Sequence, residues 1–200
     1  MRVVVFDLET GGVDTYRSPI IQIGAVVLDT NALAIVDEPF ECKVQFERGP
    51  DTEKALAMNS YDEAAWAAQA VPKAKAMERF AAFLEPYRTV CMESKKTHRQ
   101  YYVARLMGYN AAAFDGPMLF RDARSVGVFM PADLRIVDVM QRAAWDSMCA
   151  TEPNFSMRLK DVATRLLGEA AVASVELHDA VGDATLTAMV AIQIMTEDLV

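Results

Sequence analysis

Residues 3–12 read VVVFDLETGG, an apolar strand that ends in two carboxylates and a pair of glycines. Side chains in a strand alternate between its two faces, so Asp7 and Glu9 are predicted to share a face and to lie close together. Two like charges at that separation repel each other unless a cation or a proton lies between them. For a lone Asp-x-Glu, a solvated strand end is the simpler explanation. The presence of a site therefore depends on whether further carboxylates converge on this strand end.

Composition sets the general class of the protein. The chain has 200 residues, of which 52% are hydrophobic and 24% are charged, as in ordinary folded soluble proteins. This length predicts a single domain spanning residues 1–200. Its three cysteines are odd in number and form no Cys-x-x-Cys pair, which disfavours structural zinc and a disulfide scaffold. Charged residues interrupt every apolar run and the N-terminus reads directly into a strand, so we expect a cytoplasmic protein without membrane contact.

The net charge of −8 disfavours a general nucleic-acid binder, because such proteins usually carry a basic stripe. That argument weakens if several of the acids hold metal ions, because bound cations cancel those charges locally.

The apolar pattern alternates between strands and helices. It predicts strands at 2–6, 20–28, within 33–46, and at 88–92, 106–110 and 134–139. It predicts helices at 62–85 with a break at Pro72, at 94–105 on the surface, and at 115–127, 139–147, 157–168 and 179–198. Trp66 and Trp145 both fall on apolar helical stripes, which predicts that both are buried. Strands followed by alternating strands and helices indicate an α/β fold with a mixed sheet.

A third carboxylate stands in the stretch GYNAAAFDGPML, where Asp115 lies at the start of a predicted helix. Pro117 falls in the first turn of that helix, where proline is tolerated. Asp115 can be a helix N-cap, which is a common role for aspartate, or a member of a site.

The C-terminal stretch LHDAVGDATLTAMVAI contains a fourth carboxylate and a histidine. A long helix is predicted to start near Asp179, which places Asp183 one turn into it. The small residues around Asp183 indicate a close approach to another part of the chain. His178 precedes the helix and lies on a loop; a structural role and a catalytic role are both open for it on the sequence pattern alone.

The order of these motifs resembles that of the DEDD superfamily of 3′–5′ exonucleases, in its DEDDh branch, whose fold is ribonuclease H-like. The matching residues are Asp7 and Glu9 in FDLETGG, Asp115 in GYNAAAFD, His178 and Asp183 in HDAVGD, and the segment LKDVATRLLG at 159–168. The resemblance runs from residue 3 to about residue 190. It implies an α/β fold with a ribonuclease H-like mixed sheet of five strands, one of them antiparallel, flanked by helices.

The resemblance also implies a two-metal phosphodiester hydrolase. Two divalent ions, Mg²⁺ or Mn²⁺, can generate the nucleophile and stabilise the leaving oxyanion, and hard carboxylate oxygens suit both ions. By resemblance, Asp7 bridges the ions, Glu9 and Asp183 bind the ion that holds the nucleophilic water, and Asp115 helps to hold the other. His178 would take a proton from that water, since histidine exchanges protons readily near neutral pH.

The resemblance predicts substrate contacts as well. Backbone N–H groups around Thr10 and Gly11 are expected to hold the 3′-terminal sugar, and Asn110 either orients the turn before Asp115 or touches the substrate. The segment 94–105 interleaves basic and aromatic residues that could grip a single strand, or it is a solvated helix with tyrosines packed inward.

The expected substrate is the 3′ end of DNA, single-stranded or unpaired, because the spacing from Asn110 to Asp115 looks more like that of stand-alone DNA exonucleases than that of proofreading subunits. The alternatives are a 3′–5′ exoribonuclease, which would share the whole catalytic set, and a non-catalytic nucleic-acid-binding domain.

Overall fold

The computed structural model of the chain describes residues 1–49, 52–59, 61–148 and 156–198. Within them the strands are β1 (Arg2–Thr10), β2 (Ile20–Asp29), β3 (Ala34–Lys43), β4 (Arg88–Glu93), β5 (Gln100–Ala104), β6 (Leu106–Gly108) and β7 (Val137–Asp138). The helices are α1 (Thr52–Leu56), α2 (Glu63–Gln69), α3 (Lys73–Leu84), α4 (Asp115–Ser125), α5 (Val139–Met148), α6 (Leu159–Leu167), α7 (Glu169–Val172) and α8 (Ala180–Glu197).

Five of these strands form one mixed sheet in the order β3-β2-β1-β6-β7. Strand β2 runs antiparallel to both β1 and β3, whereas β6 and β7 run parallel to β1. The predicted five-stranded mixed sheet with one antiparallel strand is therefore confirmed. Because β1, β6 and β7 are parallel, their carboxyl ends lie at the same edge of the sheet.

Side chains of β1 alternate between two apolar layers, as the strand period requires. Val4, Phe6 and Leu8 join a cluster with α3 and α4 on one face. Val3 and Val5 join a second cluster with α5, α6 and α8 on the other face. Asp7 and Glu9 continue the second series, so they point toward the α8 side of the sheet.

The predicted helix at 94–105 is wrong. Residues Gln100–Ala104 form β5, which pairs antiparallel with β4 in a separate two-stranded sheet. The lysine-rich segment before β5 is a turn in which His98 has φ +55°. The run QYYVA is rich in β-formers, and cross-strand pairing with β4 outweighs the weak helical character of the polar residues before it.

The two tryptophans differ. Trp66 is buried, and its indole N–H donates to the Ile21 carbonyl at 3.1 Å, as its apolar stripe predicts. Trp145 is 65% exposed on α5, so its predicted burial is wrong.

The thiol of Cys42 is buried and that of Cys91 is exposed, while Cys149 lies outside the described residues. Among the described helices, none combines the length and the apolar character needed to cross a membrane.

Candidate active site

Three carboxylates meet where β1 faces the start of α8. Asp7 and Glu9 lie two apart near the end of β1, and Asp183 lies in the first turn of α8. One carboxylate oxygen from each of the three lies within 4.8 Å of the others. This answers the question raised by the Asp-x-Glu strand end, because further carboxylates do converge on it.

The backbone of α8 touches β2 directly, and Gly24 permits the contact. A Cβ atom at Gly24 would lie 2.2 Å from the carbonyl carbon of Ala180 and 2.4 Å from the amide nitrogen of Val181. Gly24 is the partner of Asp7 in the β1–β2 ladder. The missing side chain therefore sets the distance between Asp7 and the helix turn that carries Asp183.

Gln22 anchors the same helix end by hydrogen bonds. It is buried on β2 as the partner of Glu9 in the ladder. Its side-chain amide donates to the Asp179 carboxylate at 2.8 Å, and its carbonyl oxygen accepts from the Ala180 N–H at 3.4 Å. Asp179 in turn caps α8 by accepting from the N–H groups of residues 181 and 182. The start of α8 is thus fixed to the strand that borders the acidic cluster.

Asp115 reaches the cluster from the opposite face of the sheet. It is the first residue of α4 and is buried, and its Oδ1 accepts from the Leu8 N–H, between Asp7 and Glu9, at 3.2 Å. The residue before it, Phe114, occupies the N-cap position, so Asp115 is not the helix cap. Its carboxylate is tied to β1 instead.

The turn before Asp115 is held by backbone contacts. Asn110 has φ +57°, a left-handed conformation that asparagine tolerates better than most residues. Its carbonyl accepts from the N–H groups of Ala113 and Phe114. Buried Asp138, at the end of β7, accepts from the N–H groups of Asn110 and Ala112 at 3.0 and 3.1 Å. The sequence prediction that Asp138 caps the following helix is also confirmed, because it accepts from the N–H groups of residues 140 and 141.

Burial raises the pKa of all four acids above the ordinary range for carboxyl groups, and neighbouring acidic charges add to the effect. For Asp7, burial is the largest cause, followed by the charges of Asp115, Asp183 and Glu9. Burial and the neighbouring aspartates raise the pKa of Glu9 to about 8. The pKa of Asp115 is raised to about 7, mainly by burial, and that of Asp183 to about 6, where the charge of His178 opposes the effect of burial. Such a cluster favours the uptake of protons or of cations.

His178 lies on an exposed loop directly before α8. Its backbone has φ +60°, and its N–H donates to the Asp183 carboxylate at 3.3 Å. A Cβ atom at Gly182 would lie 1.8 Å from the Glu176 carbonyl oxygen, so only glycine lets this loop fold onto the first turn of α8. The histidine is therefore placed beside Asp183 on an exposed loop, as the sequence predicts.

The predicted substrate contacts have mixed support. The Gly11 N–H already donates to the Pro19 carbonyl at 2.9 Å, so in this structure it is not available to a sugar. The Thr10 hydroxyl donates to the Gly12 carbonyl at 2.7 Å, and the Thr10 carbonyl accepts from the Asn59 side chain at 3.2 Å. Asn110 orients the turn before Asp115 through its backbone; a substrate contact by its side chain stays a prediction.

Sequence reasoning missed the roles of Gln22 and Asp179 in positioning α8. A polar Gln within the apolar run IIQIGAVVL is the signal that could have drawn attention to β2. Asp179 also raises the pKa of Asp7, Glu9 and Asp183 through its charge, which places a fifth acid near the cluster.

Comparison with known proteins shows the family to which this chain belongs. The profile of a family described as exonuclease (RNase T) matches residues 4–191. The chain belongs to this exonuclease family. The matched residues contain all four acids and His178. A comparison with curated protein sequences gives no significant match.

Solved structures of exonuclease I share the fold of this exonuclease-family chain. E. coli exonuclease I in complex with a dA16 oligonucleotide aligns with a TM-score of 0.73 at 16% identity, covering 98% of this chain and 41% of that one. The zinc-bound form of the E. coli exonuclease I–ssDNA complex gives a TM-score of 0.72 at 15% identity, covering 99% and 41%. Exonuclease I from Methylocaldum szegediense gives 0.71 at 16% identity, covering 99% and 41%. The chain thus spans about two fifths of the length of these structures.

Proposed function

We propose that this chain is a metal-dependent 3′–5′ exonuclease of the DEDDh type that releases nucleotides from single-stranded or unpaired 3′ ends of DNA. The observation that carries the proposal is the convergence of Asp7, Glu9 and Asp183 to within 4.8 Å, with Asp115 tied to the same strand end. Membership of the exonuclease family supports the reaction class.

The donor set fits Mg²⁺ or Mn²⁺. It consists of carboxylate oxygens, which hard divalent cations prefer, and it contains no thiolate. Burial and neighbouring acids raise the pKa of Glu9 and Asp115, so binding of a cation would offset the cost of keeping these carboxylates ionised. Asp7, Glu9 and Asp183 would hold one ion, and Asp7 with Asp115 the second. When bound, such a pair supplies a reactive water and stabilises the leaving oxyanion.

The histidine supplies the remaining proton transfer. His178 takes a proton from the water that attacks the phosphorus atom, and the bond to the 3′ oxygen of the preceding nucleotide breaks. Its exposed loop is held against the first turn of α8 by the backbone contact to Asp183, and this proximity to a cluster carboxylate supports the assignment of His178 as the base. The buried network around Gln22 and Asp179 keeps that turn in place during the reaction.

Single-stranded DNA is the preferred substrate because the solved relatives include exonuclease I in complex with DNA oligonucleotides. The second candidate is RNA, since the same carboxylates and histidine would serve it, and discrimination depends on contacts to the 2′-OH. A competition assay with DNA and RNA oligonucleotides of matched sequence separates the two. Preferential loss of the RNA would contradict the DNA assignment.

Activity is tested with a 5′-labelled DNA oligonucleotide. We expect stepwise shortening from the 3′ end that stops when divalent ions are chelated and returns with Mg²⁺ or Mn²⁺. Asp7→Ala should remove nearly all activity while the protein stays folded. A non-catalytic binding domain would retain the label at full length under every condition, and a fully active Asp7→Ala variant would refute the two-metal mechanism.

A further inference from the structure

Three adjoining depressions lie on the α4 side of the molecule. Their volumes are about 880, 560 and 650 Å³. The first and second share Tyr16 and Arg121 as lining residues, and the second and third share Phe120, Arg124 and Leu134. The depressions therefore adjoin one another along α4, and together we call them the α4 groove.

The α4 groove borders the start of α4, the helix whose first residue is Asp115. Its middle section is lined by Ala113, Gly116 and Pro117, which flank Asp115 in the chain. The loop that carries Tyr16 is the segment that follows β1 and its Asp-x-Glu. The groove is therefore bordered by the two chain segments that adjoin the site residues, the one around Asp115 and the one that follows Glu9.

The charge of the groove is opposite to that of the whole chain. Six lysine and arginine side chains and three acidic side chains line it, in a protein of net charge −8. Two of the acids, Asp122 and Asp133, are buried and already paired with arginines. Within the described parts of the chain, the side chains of Arg17 and Arg124 form no ion pair or hydrogen bond, and both residues are exposed. They are available to phosphate groups.

An aromatic side chain stands beside one of these free cations. Tyr16 is 87% exposed and lies next to Arg17 on the loop after β1. Arg121 of α4 holds that loop, donating to the Thr15 carbonyl at 2.6 Å and to the Ser18 carbonyl at 2.8 Å. The exposed ring is thus presented on a braced loop. Proteins that bind single strands combine such rings, on which bases stack, with a basic groove that follows the backbone.

We propose that the α4 groove binds the single-stranded DNA that lies upstream of the reacting 3′ end. Arg17 and Arg124 contact its phosphates, and Tyr16 stacks on one of its bases. This inference rests on the proposed nuclease function for the direction of the strand, and it adds a binding surface away from the carboxylates.

The test measures binding without cleavage. A 5′-fluorescein oligo(dT) of about 15 nucleotides, long enough to fill a single-strand site, is titrated in EDTA while salt is varied. Replacing Arg17 and Arg124 by alanine should lower the slope of log affinity against log salt by about 1.4, since each phosphate contact on a single strand contributes about 0.7. Over one decade of salt, from 1 M to 0.1 M, this slope difference corresponds to about 25-fold weaker binding.

The matched control is Arg158→Ala with Lys160→Ala. It removes the same charge from exposed positions at the start of α6, on the opposite face of the sheet. Its binding curve should follow that of the parent. Tyr16→Ala should weaken binding about 5- to 100-fold, whereas Tyr16→Phe, which keeps the ring, should not.

The groove is refuted if the parent does not bind the oligonucleotide, if the Arg17/Arg124 variant binds like the parent, or if the α6 control loses as much. Cleavage with Mg²⁺ is measured separately. A parent that binds through the groove yet never shortens DNA supports the groove and refutes the proposed nuclease function. A parent that shortens DNA, with groove substitutions that leave binding unchanged, supports the proposed nuclease function and refutes the groove.

Discussion

Substitution of Gly24 by alanine tests how the fold positions Asp183. The added Cβ atom would lie 2.2 Å from the carbonyl carbon of Ala180, whereas ordinary van der Waals contact begins near 3.4 Å. The neighbouring atoms are backbone, so they cannot rotate away. The start of α8 must retreat by about 1.2 Å, and Asp183 in its first turn moves with it.

Two costs follow from that displacement. Overpacking of a tight contact destabilises a protein by about 1–3 kcal/mol. A displacement of about 1 Å at a reacting group can reduce the rate by ~10²-fold. We therefore expect Gly24→Ala to lower the free energy of unfolding in urea by about 1–3 kcal/mol and to lower kcat/KM on a DNA oligonucleotide by ~10²-fold.

The matched control is Val26→Ala, on the same strand and the same face, where the side chain is buried in the α8 layer. Its truncation should cost about 2 kcal/mol of stability without pushing α8 away, so cleavage should stay near the parental rate. A well-folded Gly24→Ala variant with parental kcat/KM would refute the role of this contact. Equal losses of activity in both variants would show that activity follows stability alone.

Three further predictions concern the surroundings of the cluster. His178→Ala should slow single-turnover cleavage by a factor of ~10²–10⁴ with little change in Mn²⁺ affinity, because the histidine acts as a base and not as a ligand; a sharp fall in Mn²⁺ affinity would contradict this. Glu9→Gln should raise stability in EDTA at pH 7 by up to about 3 kcal/mol, because the folded-state pKa of Glu9 is about 8 against 4.5 when unfolded. The free energy of unfolding of the parent should fall as pH rises from 4.5 to 8, and below pH 4.5 the variant should be no more stable than the parent. If urea unfolding shows the variant to be more stable by the same amount at every pH, the raised pKa of Glu9 is refuted. Asp138→Ala should cost about 3 kcal/mol in the same unfolding assay, because four backbone N–H groups lose their acceptor; parental stability would show that those contacts are dispensable.

The sequence allowed the carboxylates to be placed correctly because strand and helix periodicity act locally. Asp7 and Glu9 share a face by the two-residue period of a strand, and Asp183 falls one turn into a helix whose start is marked by Asp179. The sequence pattern could not decide whether Asp115 caps a helix or belongs to the site. The deciding contact, its hydrogen bond from the Leu8 N–H, joins residues 107 positions apart.

The remaining features depend on long-range packing that periodicity does not report. Gly24 gives the same local signal whether it marks a bulge or a close approach, and only the position of Ala180, far along the chain, decides between them. The segment 94–105 was wrongly predicted as helix although its run QYYVA is rich in β-formers; that run pairs with β4, the strand directly before it in the chain. The α4 groove gathers its cations from five separate segments of the chain, so no basic stripe is visible in the sequence.

The central claim is that four carboxylates, two on β1 and one each from α4 and α8, hold a pair of divalent ions at the end of β1. The most direct measurement is a crystal structure of the protein with Mn²⁺, with the ions located by anomalous scattering. We predict two peaks about 3.5–4 Å apart, one bounded by Asp7, Glu9 and Asp183 and the other on the Asp115 side of Asp7. Ions bound elsewhere, or an acidic cluster that binds none at saturating Mn²⁺, would contradict the account.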